Sequence, residues 1–292
     1  YETQGRMAAN FASSTFTKNK KVLIFYETER DSLVAEAYKN TIQRDSFFIV
    51  KYQRLTTEGA LEVQRDFTEQ YEFRLDTLFN QKEIDSIALL PGRYVRNRVL
   101  RDEKTKRILK DNNGEDKLEY YEVKFMVDRD SVGHIFAATS SNLLVNNLIS
   151  LVDVRSDTIG LIGYDSWLDF NLSSYDQLER IGAYMISSSF FKKAEVEYQQ
   201  VERKFIDQLG DKPNQYHLTG YELVMQLGIL MKKNGKYFQR GLSDGDIARG
   251  VIMEGLRYGG YNDNQVVPII QLEDLQLKNK NVQSDSVSKN ED

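Results

Sequence analysis

At 292 residues, 40% hydrophobic and 28% charged, the chain is long enough to bury roughly three quarters of its unfolded surface as one large domain or two lobes. Its 39 Lys and Arg are outnumbered by 44 Asp and Glu, which argues against nucleic-acid binding, and no apolar run reaches the length of a membrane span. Zero cysteines, and His134 and His217 as the only histidines, exclude disulfides, thiolate or His-rich metal centres and a Cys nucleophile, and no cofactor is expected.

The first residue is Tyr1 and no signal or transit peptide is visible, so the sequence reads as a processed chain or a piece of a longer one. After a leading helix, Val22–Tyr26 is the first of seven continuous apolar runs. The others are Phe47–Val50, Ile87–Leu90, His134–Ala138, Ile159–Ile162, Ala183–Ile186 and Val266–Ile270. Runs that do not alternate are strands covered on both faces. Helical spacing lies between them. Val34, Ala37, Tyr38 and Ile42 share a face, as do Val63, Phe67, Tyr71, Leu75 and Leu78, and Asn142–Val154 carries Leu144, Leu148, Leu151 and Val152. Strand–helix alternation predicts a parallel α/β sheet with helices on both faces.

Residues 93–130 break the rhythm. Arg93–Arg101 and Leu118–Val127 flank a turn-rich stretch with Asn113-Gly114, which predicts a β-hairpin insertion. From Arg93 to Asp111 there are eight basic and three acidic residues, and the return arm carries Glu115, Asp116, Glu119, Glu122, Asp128 and Asp130. Opposite charges on facing strands are cross-strand pairs before they are a binding surface.

After Ile186 come three helical patterns without an intervening strand: Ala194–Leu209, Tyr216–Lys233 and Ser243–Leu256. Their apolar faces are Tyr198, Val201 and Phe205; Tyr221, Val224, Met225 and Leu227; and Ile247, Val251, Ile252 and Leu256. Three such faces exceed the apolar patch an ordinary monomer leaves open, so a protein partner or an upstream segment is expected to cover residues 194–256. Residues 278–292, rich in Asn, Ser, Lys and Asp, are expected to be a disordered tail.

No phosphate loop, dinucleotide fingerprint, zinc-protease motif or nucleophile elbow is present. Asp111–Asp116 is like a calcium loop but lacks the closing Glu and reads as a turn. His134, within an apolar run, reads as a sheet histidine, and His217 as a helix residue. Enzymatic activity has no positive support.

A resemblance rests on the order of several stretches. Arg6–Ala12, Lys20–Tyr26 and Asp31–Tyr38 come first; His134–Ser141, Ile162–Leu168, Ala183–Phe191, Lys204–Pro213 and Gly220-Tyr221-Glu222 follow. In this order they resemble type I periplasmic binding proteins, the amino-acid-binding receptors of ABC transporters. The wording is nearest to binding-protein-like domains of Bacteroidota envelope proteins that often carry peptidoglycan-binding LysM repeats. The resemblance implies that residues 1–182 form lobe two with a leading helix, 183–257 the helical part of an incomplete lobe one, and 258–277 a return strand to lobe two. Lobe one's strands would then lie upstream of Tyr1. It implies a periplasmic or outer-membrane-associated location.

Ligands of parallel α/β sheets sit beyond the carboxyl ends of the strands. The resemblance places Asp165 where an acidic residue meets a ligand ammonium; the residues alone read equally as a loop aspartate or helix cap. Ser140 and Ser141 either bond a ligand or cap the next helix. Tyr164 and Trp167 either stack on a ligand or wall the cleft, and Asp31 and Ser32, in the loop Thr28–Ser32, complete the candidate set. Two functions follow: a receptor for amino acids or similar small polar ligands, or a degenerate binding-protein fold kept as a structural or protein-interaction scaffold.

Overall fold

In the computed structural model, helix α1 (Glu2–Thr15) precedes β1 (Lys21–Tyr26), α2 (Glu29–Arg44), β2 (Phe48–Arg54) and α3 (Thr57–Thr68). Strands β3 (Gln70–Arg74), β4 (Tyr94–Val99) and β5 (Leu118–Phe125) follow, then β6 (His134–Ala138), α4 (Asn142–Arg155), β7 (Gly160–Tyr164), a 3-10 turn (Asp165–Asp169), α5 (Tyr175–Arg180) and β8 (Tyr184–Ile186). The chain continues through α6 (Val196–Leu209), α7 (Gln215–Asn234), β9 (Ala248–Arg249), β10 (Gly255–Leu256), β11 (Ile269–Glu273) and β12 (Gln276–Asn279). The structure describes residues 1–75, 94–102, 104–111, 113–125, 127, 131–155, 158–170, 175–239 and 247–281.

The main sheet has the order β12-β11-β8-β7-β6-β1-β2. From β8 to β2 every pairing is parallel, as expected for the apolar runs. β11 joins antiparallel to β8, and β12 antiparallel to β11. Burial on both faces explains the unbroken apolar runs. Leu23, Phe25, Ile135, Ala137 and Leu161 pack on one side with Val63, Phe67 and the α4 face Leu144, Val145 and Leu148. Val22, Ile24, Phe136, Ala138 and Ile162 pack on the other with Ala8, Ala9, Ala12, Val34, Ala35 and Tyr38 of α1 and α2. Successive residues of these central strands therefore serve two cores, and the buried polar one, His134, bonds the Tyr38 hydroxyl.

Several expectations need correction. The helix through Val63 and Phe67 stops at Thr68, and Tyr71 stands on β3, paired antiparallel with β5. The four-residue step from Phe67 to Tyr71 preserves helical spacing across the boundary and conceals the change to a period of two. The hairpin of β4 and β5 forms as predicted, but β3 makes it a three-stranded sheet, order β3-β5-β4. Its charges pair across strands: Arg98 meets Glu72 at 2.7 Å, and Arg74 contacts Glu119. Residues 247–256 form the β9–β10 pair instead of a third helix. Gly255 has φ +125°, outside any helix, and the Glu222 carboxylate of α7 accepts the Val251 and Ile252 N–H groups at 2.9 and 2.8 Å. The expected tail begins too early, because β12 reaches Asn279 and Lys280 N–H bonds the Ile269 carbonyl. Ile87–Leu90, Leu78, Ser243 and residues 282–292 lie outside the described residues.

His134 is a sheet histidine. It is fully buried, its Nε2 lies 2.5 Å from the Tyr38 hydroxyl, and its ring stacks on Phe16. Burial holds its pKa down to about 3. The unfolded chain takes up this proton below about pH 6.5, whereas the fold does not until about pH 3. This contribution is therefore complete above pH 6.5 and is lost as pH falls towards 3, by up to about 1.4 kcal/mol per unit. Urea unfolding of the wild type should weaken from pH 6.5 to 5, and His134→Gln should remove that part of the slope. Equal slopes would contradict the burial of a neutral ring.

Candidate functional site

Four parallel strands, β1, β6, β7 and β8, end on one edge of the sheet, and the loops beyond them surround a pocket of about 440 Å³. From β1 come Glu27, Thr28, Arg30 and Asp31; from β6, Ser140; from β7, Tyr164, Asp165 and Ser166; and from β8, Ile186. Tyr1 and Gln4 of α1 close one side.

The loops are stiffened by their own hydrogen bonds. Thr28 and Asp31 form a reciprocal capping box at the start of α2: the Thr28 N–H donates to Asp31 Oδ2 at 3.0 Å, and the Asp31 N–H donates to Thr28 Oγ1 at 3.2 Å. The Tyr164 hydroxyl donates to the other oxygen, Asp31 Oδ1, at 3.2 Å. Thr139 Oγ1 donates to Glu27 Oε2 at 2.6 Å, and Ser187 Oγ donates to Asp165 Oδ2 at 2.7 Å. Ser140 and Ser166 hydroxyls lie 3.2 Å apart.

Three carboxylates thus stand in one pocket. Among the described residues none of them is ion-paired with a lysine or arginine. The pocket's guanidinium, Arg30, lies 4.0 Å above the Tyr1 ring. Burial raises the Asp165 pKa, opposed by the Ser187 hydrogen bond. Burial likewise raises that of Tyr164, with the nearby Asp31 carboxylate adding to it, so Tyr164 stays a neutral donor. With three carboxylates against the one Arg30 guanidinium on its wall, the pocket has an acidic excess that favours a cationic group. Among the described residues no group of three or more His, Asp or Glu is arranged to hold a metal ion.

The structure brings Asp31, Ser140, Tyr164 and Asp165 together on the pocket wall. It places the other candidates elsewhere. Trp167 is 0% exposed and belongs to the core, its Nε1–H donating to the Thr139 carbonyl at 2.8 Å. A Cβ on Gly163 would overlap the Trp167 ring, so this glycine makes room for it. Ser141 precedes α4, its backbone carbonyl accepting the Val145 N–H, and Ser32 turns back to the Glu29 carbonyl within α2. Glu27, Arg30 and Ser166 escaped the sequence reading as individual residues. Glu27 had a signal, since it directly follows the apolar run Val22–Tyr26.

No family model matches the chain, and no curated protein matches it. Solved structures do. An ABC transporter substrate-binding protein from Desulfitobacterium hafniense, in complex with Leu, superposes with TM-score 0.51 at 15% identity over 95% of this chain and 64% of its own. A further structure of such a protein from the same organism gives 0.51 at 13%, covering 95% and 65%. A branched-chain amino acid ABC transporter structure from Rhodospirillum rubrum gives 0.52 at 10%, covering 94% and 64%. The chain therefore has the type I periplasmic-binding-protein fold, a mostly parallel sheet between helical layers, and spans just under two thirds of the length of these proteins. The finer likeness to LysM-associated envelope domains finds no support in these matches.

Proposed function

We propose that this chain is a non-catalytic binding module of the periplasm or cell envelope, and that its pocket takes a small polar solute bearing a protonated amine, such as a free amino acid. The observation that carries the proposal is the trio Glu27, Asp31 and Asp165, unpaired with any described cation, on the carboxyl edge of the parallel sheet. A protonated amine supplies the missing counter-charge in charge-assisted hydrogen bonds. The Tyr164 and Ser140 hydroxyls supply neutral partners beside it. Support also comes from the shared fold with proteins described as binding Leu or serving branched-chain amino acids. In this reading residues 1–182 and 258–277 form one lobe, and 183–257 belong to a second. Thermal unfolding with a panel of the free amino acids tests it. At a hundredfold excess over Kd a true ligand adds about 2.7 kcal/mol, a Tm rise of several degrees. No rise with any amino acid would favour the scaffold reading.

A specific observation supports that second reading, or a covering partner in addition to a ligand. Helix α7 buries Leu218 and Leu230 but also two polar residues, and leaves several large apolar ones outside. Its inward face holds Glu222 and Gln226, which bond the β9–β10 region, while Tyr216 is 85% and Val224 69% exposed, with Leu223, Leu227 and Met231 also outward. Such a face fits coverage by an upstream segment of the polypeptide or by another chain. Val224→Lys with Leu227→Lys should leave the unfolding free energy of this chain within about 0.5 kcal/mol of wild type and lower its binding of a hydrophobic dye. A loss of more than about 2 kcal/mol would mean that the face is already packed.

A further inference from the structure

We propose that Ser187 is a positioning residue for Asp165, aiming the pocket carboxylate and tying its orientation to the two segments that connect the main sheet to α6 and β10. The inference rests on the amine-binding reading of the pocket. Ser187 is 2% exposed and follows β8 directly, where the chain leaves the sheet. Its backbone N–H donates to the Pro268 carbonyl at 2.9 Å, on the segment that returns into β11. Its hydroxyl donates to Asp165 Oδ2 at 2.7 Å, and among the described residues no other side chain bonds that carboxylate. A backbone bond between outgoing and returning segments thus fixes the Cα of Ser187, and its hydroxyl fixes one oxygen of Asp165. The backbone N–H groups of Ser166 and of Asp165 itself are the carboxylate's further donors.

The groups facing Asp165 are few. Asp169 on its own turn raises its pKa and the Ser166 N–H lowers it, but burial is the largest influence and Ser187 the next. Across the pocket stand Glu27, Arg30, Tyr164 and Asp31. A hydroxyl donating to the charged form favours that form, so removing it raises the midpoint at which Asp165 takes a proton.

The test is carbon-13 NMR titration of the side-chain carboxyls in the full chain, with the Asp165 signal identified by its loss in Asp165→Asn. Ser187→Ala should raise the Asp165 midpoint by about one pH unit, and Ser187→Thr, which keeps a hydroxyl, should restore it to within a few tenths. A midpoint unchanged in Ser187→Ala overturns the proposal, whatever the pocket binds. L-leucine is the probe for the second arm. Its affinity should fall as pH drops through the Asp165 midpoint, and the fall should begin about one unit higher in Ser187→Ala. A shared pH profile in wild type and Ser187→Ala would overturn the positioning role. If leucine does not bind while the NMR midpoint moves, the positioning of Asp165 stands and the amino-acid reading of the pocket fails.

Discussion

Replacing Trp167 by alanine is expected to cost about 3–5 kcal/mol of stability, the range for emptying a large aromatic site in a packed core. The indole is wholly buried among strand and helix residues that include Leu161, Leu144 and Leu148. It also packs against Gly163, which has no side chain to fill the void. The loss should reach the pocket as well. The indole N–H bonds the Thr139 carbonyl, and the Thr139 hydroxyl bonds Glu27, so one missing ring frees the end of β6 and a pocket carboxylate together. Trp167→Phe should cost less, chiefly by leaving that carbonyl without its donor, about 1–3 kcal/mol. Urea denaturation of both variants checks the order. A Trp167→Ala loss below about 1 kcal/mol would show that the ring is not the packing element described here.

Asp165→Ala is expected to abolish binding of an amine-bearing solute, and Asp165→Asn to weaken it at least a hundredfold. The asparagine keeps shape and one acceptor but removes the charge, and truncating one partner of a partly desolvated charge pair typically costs 2–5 kcal/mol. Neither variant should be unstable. In the free chain Asp165 is a partly buried carboxyl with a raised pKa, and releasing such a charge from the fold relieves a desolvation cost. Binding lost with stability retained is the expected signature under calorimetry and denaturation. Wild-type affinity in Asp165→Asn would remove this residue from the site.

The centre of the sheet was legible because its strands are buried on both faces, whereas the edge strand β2, with Phe48 and Val50 exposed, is not covered as its apolar run predicts. Val22–Tyr26 and His134–Ala138 have no polar alternation to confuse them with a solvated edge, and their parallel pairing followed from the helices between them. β3 was hidden because Tyr71 continues the helical spacing of Val63 and Phe67, and only its pairing with β5 decides the matter. The β9–β10 pair was hidden for a related reason. Ile247, Val251 and Ile252 have helical spacing, but the buried Glu222 on another helix captures two of the N–H groups a helix would need.

At the pocket the loops were legible and the side-chain directions were not. Ser140 and Ser141 are adjacent and chemically identical, yet of the two only Ser140 lines the cavity. Trp167 follows Tyr164 and Asp165 by two or three residues, and a 3-10 turn carries it from the cleft into the core. That rotation depends on the vacancy left by Gly163, four residues earlier at the end of β7.

The most direct test of the amine site is calorimetric titration of the chain at pH 7 with free L-amino acids beside their N-acetylated counterparts. Acetylation removes the ammonium charge and leaves side chain and carboxylate in place. The proposed site predicts saturable binding of at least one free amino acid and binding at least a hundredfold weaker for its N-acetyl form. Equal affinity for the two forms, or no binding by any amino acid in the panel, would contradict it.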